Sequence, residues 1–214
     1  MIKQNFSTSS KFNNISAPTK DTHENHKSII YLAGGCFWGV QAYINNIKGV
    51  INTYVGYANG DLNKLRVQSS SGLSEPELAQ IGPTYEEVCS GTTNFTEACE
   101  VIYNPQFLTL NKLLDYFFKI IDPTSLNKQG YDKGTQYRTG IYYQAKENVT
   151  EQIITLINEY IISQQQNYIK PIVVEIDKIH NFYNAEDYHQ NYLKKNPNGY
   201  CHINPALIKA AKDF

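Results

Sequence analysis

The sequence contains no long apolar run, because no stretch approaches the ~20 consecutive apolar residues that cross a bilayer as a helix. No membrane partner is therefore expected. Charge of either sign is not in excess, since 19 Lys and Arg stand against 20 Asp and Glu, for a net charge of −1. This balance excludes a strongly basic, phosphate-binding surface overall, so nucleic acid is not an expected partner. The four cysteines are too few and too scattered for a disulfide scaffold (Cys36, Cys89, Cys99 and Cys201).

The length and the composition predict one folded domain behind a polar segment. A chain of 214 residues with 41% hydrophobic and 13% aromatic content can bury a sizeable core, which excludes disorder over its whole length. Residues 1–27 are mostly polar with isolated apolar side chains, and they predict a disordered tail. The alternative for this tail is a mitochondrial transit peptide, although it contains no arginine. Residues 28–214 form the expected domain, with a polar surface insertion at 61–82.

Strand-like and helix-like segments follow one another without a strict βαβ repeat. Short runs of β-branched and aromatic residues predict strands at 28–33, 50–57, 97–103, 139–143 and 172–176. Helical spacing predicts helices that begin at Cys36, at Thr109 and near Val149, and a short polar helix over 185–195. This mixture favours an α+β fold, in which helices pack on one mixed sheet.

Cys36 has the sequence context of a reactive cysteine. It follows the pair Gly34-Gly35 and precedes a predicted helix, where free amide groups and the helix dipole favour the thiolate. Phe37 and Trp38, the only tryptophan, would form an apolar wall beside the sulfur. For a lone cysteine, a small buried core residue is the alternative interpretation.

Several blocks of sequence around and after Cys36 occur in a recognisable order. They are Gly-Cys-Phe-Trp-Gly at 35–39, and then 83–91, 93–97, 122–124, 130–138, 185–193 and 196–201. Together they span residues 30 to 203 and resemble the A-type peptide methionine-sulfoxide reductases. The resemblance implies a two-layer sandwich with a ferredoxin-like core and a coil-rich C-terminal segment. It also implies that the chain binds no metal, flavin, nicotinamide or other cofactor.

The resemblance implies that the catalytic domain 28–214 reduces the S epimer of methionine sulfoxide in proteins, in peptides and as the free amino acid. A sulfoxide sulfur is electrophilic only when its oxygen is protonated or strongly hydrogen-bonded, so the site needs a thiolate, an acid, further donors and an apolar slot. The resemblance implies that Cys36 is the nucleophile and Glu97 the acid. It gives Tyr85 and Tyr137 as the phenolic donors and Asp132 as the group that orients substrate or water. The slot for the methyl group would be formed by Phe37 and Trp38. The acid needs a raised pKa, which an apolar setting would provide.

Attack on the sulfoxide would leave a sulfenic acid on Cys36, with which a second thiol must condense. Cys201 matches the family's first resolving cysteine, and no cysteine follows it in the sequence. The expected cycle therefore has one disulfide, Cys36–Cys201, reduced by a thioredoxin-like partner. Such a transient disulfide fits a reducing compartment, which favours the cytoplasm, or the mitochondrion if the tail is a transit peptide. Cys89 and Cys99 are expected to be buried or inert, with Cys99 as a weak alternative resolver.

Three residues and one insertion depart from the pattern of the family. Asn94-Phe95 stand where Gly-His is usual, which leaves a more apolar neighbour close to the acid Glu97. Tyr131 stands where Asn is usual, beside Asp132. The insertion at 61–82 is also longer than the corresponding link of the family and adjoins Tyr85.

Three other functions fit parts of the sequence. A thiol hydrolase would pair Cys36 with His180, His189 or His202, but the resemblance gives none of these a chemical role, and they are expected to be surface or structural residues. A metal-binding module is not expected, because the sequence has no CxxC pair and no helical histidine pair. A non-catalytic protein that recognises oxidised methionine would keep the aromatic slot, although Cys36 and Cys201 argue for turnover.

Overall fold

The folded part of the chain is built on a six-stranded mixed sheet. The computed structural model describes residues 27–68, 82–145 and 150–213, without the side chains of 66–68. The predicted tail, apart from residue 27, and most of the predicted insertion lie outside these residues. The strands are β1 Ser28–Gly34, β2 Val50–Ala58, β3 Thr96–Tyr103, β4 Lys128–Gln129, β5 Asp132–Lys133, β6 Thr139–Tyr143, β7 Glu175–Lys178 and β8 Phe182–Asn184.

The strand order in the large sheet is β7-β6-β1-β3-β2-β8, and β4 and β5 form a separate two-stranded hairpin. Within the large sheet, β6 and β7 pair in parallel, and the other pairs are antiparallel. The helices are α1 Phe37–Ile44, α2 Leu62–Gln68, α3 Tyr85–Cys89, α4 Leu110–Phe118, α5 Thr150–Gln165, α6 Tyr192–Lys195 and α7 Pro205–Ala210, with 3₁₀ turns at Thr135–Tyr137 and Ala211–Asp213.

The central unit has the expected ferredoxin-like order. The elements β1, α1, β2, β3, α4 and β6 form a βαββαβ unit whose four strands lie in the antiparallel order 4-1-3-2. Because side chains alternate across a strand, one face of the sheet packs against the helices. The main core on that face joins residues from β1, β3 and β6 with α1, α4 and α5, among them Leu32, Val101, Ile141, Val40, Phe117 and Ile157. The predicted α+β class is therefore confirmed.

Most predicted elements are present, but three segments differ. Helix α4 begins after Thr109, whose side chain accepts a hydrogen bond from the Lys112 amide, as the sequence indicates. The strand predicted at 172–176 is wrong in its bounds, since the Val173 amide donates to the Pro123 carbonyl and pairing starts only at Glu175. The predicted surface insertion also begins with helix α2, whose Leu65 is fully buried.

The helix predicted over 185–195 is wrong except for its last turn, which is α6. Asn191 adopts a left-handed backbone with φ of 54°, which ends the turns before it. The Gln190 side chain accepts from the Val55 amide and donates to its carbonyl, so this segment is tied to the edge of β2 instead of to its own backbone.

Candidate active site

Cys36 lies between the end of the central strand β1 and the first residue of α1, of which it is the N-cap. The turn before it depends on Gly35, which has φ of +80°. A Cβ at Gly35 would also lie only 2.6 Å from the Cβ of Gln129, so the hairpin β4–β5 packs directly against this turn. Cys36 is 6% exposed and therefore sits at the bottom of its site.

Two opposite effects act on the pKa of the Cys36 thiol. Burial raises its pKa well above the ordinary value, and the neighbouring charges of Glu97, Asp132 and Cys201 act in the same direction. The amide of Trp38 donates to the sulfur and opposes this effect without overcoming it. The free amides at the start of α1 thus favour the thiolate, while burial and the surrounding negative charges favour the thiol.

Glu97 is held next to the nucleophile by the backbone of α1. The amide of Phe37 donates to Glu97 Oε2 at 2.9 Å, and the carboxyl group is 1% exposed. Burial raises the pKa of Glu97 to about 8, against the opposite effect of the Phe37 hydrogen bond. At neutral pH the side chain is therefore mostly a neutral acid with a proton to donate. This agrees with the requirement stated from the sequence.

Both predicted phenols lie within electrostatic reach of Glu97. Burial, followed for Tyr137 by the charge of Glu97, raises the pKa of Tyr85 and Tyr137 above the ordinary value, so both stay protonated donors. Tyr85 begins α3, whose last residue Cys89 shares a hydrogen bond with the Tyr85 hydroxyl. Tyr137 ends the 3₁₀ turn beside β3, and Thr96 Oγ1 donates to the Gln136 carbonyl there at 3.0 Å.

Asp132 lies on β5, on the side of the site that faces the C-terminal segment. The Tyr200 hydroxyl donates to Asp132 Oδ1 at 2.9 Å, and His202 Nδ1 lies 3.7 Å from Asp132 Oδ2. The charge of Asp132 contributes to the raised pKa values of Cys36 and Glu97. The structure therefore brings together all the residues that the sequence selects for the chemistry: Cys36, Glu97, Tyr85, Tyr137 and Asp132.

The aromatic wall beside Cys36 contains residues that the sequence interpretation missed. The indole Nε1 of Trp38 donates to Nδ1 of His189 at 2.9 Å, and the indole stacks on Tyr192 with ring centroids 3.8 Å apart. His189 also contacts the rings of Phe37 and Tyr85, with centroids 5.2 and 4.6 Å away. These contacts fix the ring planes of the predicted methyl slot. The only sequence signal was the block 185–193 itself.

His189 is buried, and its environment keeps it neutral. Burial lowers its pKa, against the opposing charge of Glu186. Because Nδ1 accepts from the indole, the proton of the neutral ring belongs on Nε2, which lies 3.9 Å from Glu186 Oε2. Glu186 in turn accepts from the Tyr57 hydroxyl at 2.7 Å and from the Tyr85 amide at 3.1 Å. The histidine is thus structural, as expected, but it belongs to the site.

Cys201 lies beside the first turn of α1 in a segment, 196–204, without helix or strand. A Cβ at Gly39 would approach Cys201 Sγ to 2.9 Å, and Gly39 follows Cys36 by about one helical turn. Burial raises the pKa of Cys201, and both thiols are free in this structure. Cys201 also lines a surface groove of about 670 Å³ between α1, α6 and α7. It is therefore close to the nucleophile and reachable from solvent.

Of the other described cysteines and histidines, Cys89 contacts this arrangement, and Cys99 and His180 do not. Cys99 is fully buried in β3, while Cys89 is half-buried and bonded to Tyr85. His180 is exposed and lies 3.3 Å from Asp177. Among the described residues, no three His, Cys, Asp or Glu side chains are grouped as a metal would require. Within the same ranges, none of the helices has the length and apolar character to cross a bilayer.

Phe95, which departs from the family's pattern, packs into the core beside the site. Its ring is 1% exposed, meets Tyr183 edge-on at 5.9 Å and lies directly against Gly60. It belongs to the same apolar cluster as Phe37. The departure thus adds apolar packing on the side of the site where Glu97 is buried.

Comparisons with known proteins agree with this site. A family model described as peptide methionine sulfoxide reductase matches residues 28–213. The peptide methionine sulfoxide reductase MsrA of Clostridium acetobutylicum is 50% identical over 183 residues, which cover 86% of this chain and 98% of that protein. The crystal structure of Mxr1 from Saccharomyces cerevisiae in reduced form matches with a TM-score of 0.70 at 38% identity, covering 85% of this chain and 92% of that one.

Mxr1 has also been solved in complex with Trx2. That form matches this chain with a TM-score of 0.50 at 24% identity, over 81% of this chain and 90% of that one. The family match covers almost all of the described residues, including those that surround Cys36. The chain therefore belongs to the peptide methionine sulfoxide reductase family, and its curated relatives are of the MsrA type.

Proposed function

We propose that this protein reduces the S epimer of methionine sulfoxide in proteins and peptides, and as the free amino acid, and so repairs oxidised proteins. The observation that carries the proposal is the buried carboxyl group of Glu97, which lies directly beside Cys36. Glu97 is bonded to the first amide of α1, directly after the nucleophile, and its pKa of about 8 keeps it an acid at neutral pH. A thiol beside a proton donor is the minimum that oxygen transfer from sulfoxide to sulfur requires.

The reaction is balanced by these two groups. The Cys36 sulfur, as the thiolate, attacks the sulfoxide sulfur while Glu97 gives its proton to the sulfoxide oxygen. The attack forms a bond between the two sulfurs; the protonated oxygen then passes from the substrate sulfur to Cys36 as the S–O bond and this S–S bond break, which leaves a thioether and a sulfenic acid. The proton that the Cys36 thiol releases replaces the one that Glu97 has given. When Glu97 is neutral, its repulsion of the thiolate is absent, which favours ionisation of Cys36 in the same step.

The neighbouring side chains suit the other demands of the substrate. Tyr85 and Tyr137, both protonated, supply further donors to the developing oxyanion. Phe37 and Trp38 provide the apolar slot for the S-methyl group, in the orientation that His189 and Tyr192 hold. The slot and its phenolic donors contact only the oxidised side chain, so the site is expected to accept oxidised methionines in many sequences, at rates that their flanking residues can change.

Regeneration uses the second thiol. The Cys201 thiol attacks the sulfenic sulfur of Cys36 and releases water, which gives the Cys36–Cys201 disulfide. A dithiol reductant of the thioredoxin class then takes up this disulfide by exchange and restores both thiols. The position of Cys201 in an open groove supports this route, as does the complex of the relative Mxr1 with Trx2.

A cycle through a transient disulfide needs a compartment that keeps thiols reduced, and we assign the protein to the cytoplasm on this ground. Fractionation of cells that express the full chain tests the assignment. Recovery with mitochondria, accompanied by loss of the first residues, would favour the transit-peptide alternative for 1–27, a segment that lies almost wholly outside the described residues.

Reduction of a peptide with methionine S-sulfoxide tests the function directly, with wild type compared to Cys36→Ser and Cys201→Ser. Cys36→Ser should be inactive with every reductant. Cys201→Ser should turn over with dithiothreitol but not with thioredoxin, and Cys99→Ser is the matched control that should behave as wild type. A wild-type protein that binds the oxidised peptide without reducing it would reject the enzyme and support a recognition protein.

A further inference from the structure

The β4–β5 hairpin presents an exposed aromatic ring beside the active site that the steps above leave without a role. The hairpin turn consists of Gly130 and Tyr131, and Tyr131 is 91% exposed. Its neighbour Asp132 reaches into the site and accepts from Tyr200. The ring is accessible to a chain that enters the site.

The two faces of this hairpin have opposite characters. Gln129 and Asp132 are direct cross-strand partners, and they share the inner face, where Gln129 is buried against Gly35. Because side chains alternate along a strand, Lys128 and Lys133, the other partner pair, lie on the outer face. Both lysines are exposed. The hairpin therefore carries a carboxylate toward the chemistry and two ammonium groups toward solvent.

The two lysines are an unfavourable pair in the protein by itself. Like charges at directly opposite positions of a hairpin destabilise it. Neither Lys128 nor Lys133 forms an ion pair with any acid in the described ranges. The hairpin packs against Gly35, the residue before Cys36, so the two ammonium groups lie on the element next to the nucleophile. An acidic group on an incoming chain would relieve the repulsion.

We propose that Lys128, Tyr131 and Lys133 form a docking surface for the polypeptide that surrounds the oxidised methionine, and that this surface selects acidic flanking residues. The inference rests on the proposed reductase function. An extended substrate advances about 3.3 Å per residue, so residues two to four positions from the oxidised methionine lie roughly 7–13 Å from it along the backbone. The exposed ring packs on this backbone, and the two ammonium groups attract carboxylates on either side of it.

The size of the effect follows from surface electrostatics. An exposed ion pair contributes about 0.2–1 kcal/mol, which is roughly a 1.4- to 5-fold change in binding for each lysine. Two lysines, with repulsion added for basic substrates, give an expected preference of about tenfold in kcat/KM for acidic over basic flanks. Salt screens interactions between exposed charges, so the ratio of kcat/KM for acidic over basic flanks should fall to about half its value at high ionic strength.

The test compares three peptides that carry one methionine S-sulfoxide flanked by aspartates, serines or lysines, with free methionine S-sulfoxide as a fourth substrate and dithiothreitol as reductant. The double variant Lys128→Gln with Lys133→Gln should bring the three peptides within about twofold of one another. Tyr131→Asn, which suits a turn, should lower kcat/KM for all three peptides about threefold and leave the free amino acid unchanged.

Matched controls come from the far end of the sheet, where β1 and β2 both begin opposite Tyr103. Lys27→Gln with Lys48→Gln and, separately, Phe107→Asn change equally exposed lysines and an exposed ring at that end, and should leave all four rates unchanged. Turnover of every substrate with no preference for acidic flanks would overturn the docking surface and leave the reductase intact. Absence of turnover even with the free amino acid would instead reject the proposed function.

Discussion

Glu97→Gln is predicted to abolish a pH dependence of stability that burial of this acid creates. The carboxyl group is fully buried, and its pKa rises from the ordinary 4.5 to about 8 in the folded chain. Between these values the folded protein binds one proton more than the unfolded chain. The free energy of unfolding must therefore fall as the pH increases through this window.

The magnitude follows from the same two pKa values. Each pKa unit corresponds to 1.36 kcal/mol, so the interval from 4.5 to about 8 corresponds to about 5 kcal/mol, as an upper figure for a buried group. Glutamine has nearly the same shape and cannot ionise. The stability advantage of wild type over Glu97→Gln at pH 5 should therefore diminish steadily up to pH 8, and the variant should gain relative to wild type by several kcal/mol.

Urea denaturation of both proteins at intervals between pH 5 and pH 9 measures this difference. The buried histidines His189 and His202 have lowered pKa values, so their contributions run in the opposite direction, but they are common to both proteins and cancel in the comparison. Parallel stability curves for the two proteins would refute the reasoning, because they would mean that Glu97 ionises in the fold as it does in water.

The same variant separates stability from catalysis at neutral pH. A glutamine amide can donate a hydrogen bond to the sulfoxide oxygen but cannot transfer a proton to it. Single-turnover formation of methionine should therefore slow by about 10²- to 10⁴-fold in Glu97→Gln, while the Phe37 amide keeps an acceptor. A loss of less than about tenfold would show that another group supplies the proton.

Other changes test the surroundings of the site. His189→Ala removes the hydrogen-bond acceptor of Trp38, the only tryptophan. The fluorescence emission of Trp38 should therefore shift, and KM for oxidised peptides should rise about fivefold. An unchanged emission spectrum would contradict this. Gly39→Ala should push Cys201 away from α1. Single-turnover reduction should then keep its rate, while thioredoxin-dependent turnover slows about tenfold; equal slowing of both reactions would contradict this. Arg138→Ala removes a buried guanidinium that bonds to three backbone carbonyls and one carboxylate. The free energy of unfolding, measured in urea, should therefore fall by about 3 kcal/mol, and a change below about 1 kcal/mol would contradict this.

Short-range sequence patterns were enough to predict the main strands of the sheet and the helices that pack on it. Residues 29–34 form a run without charged side chains, as suits a strand that is paired on both edges and covered on both faces, and Thr109 marks the start of α4 through its own side chain. The polar helix predicted over 185–195 failed for the complementary reason. The Gln190 side chain accepts from β2 and the Asn191 amide donates to the Gln41 side chain of α1, and such long-range partners leave no periodic pattern in the sequence.

The site divides in the same way. The resemblance selected Glu97 and Tyr137, which lie far apart in sequence, and the fold brings both to Cys36. The sequence could not give the raised pKa of Cys36, since that depends on how much of the molecule encloses the sulfur. The sequence also did not predict the role of His189, because that role depends on the hydrogen bond that the side chain accepts from the indole of Trp38 in the folded protein.

The placement of the two thiols has a mechanical consequence. Cys36 joins the central strand to α1, so it cannot shift without disturbing the sheet, whereas Cys201 sits in coil. The approach that forms the disulfide must then be made by the C-terminal segment. Tyr200, one residue before Cys201, would be drawn along and would release Asp132. Formation of the proposed Cys36–Cys201 disulfide would therefore loosen the substrate opening on the side where Tyr200 bonds to Asp132.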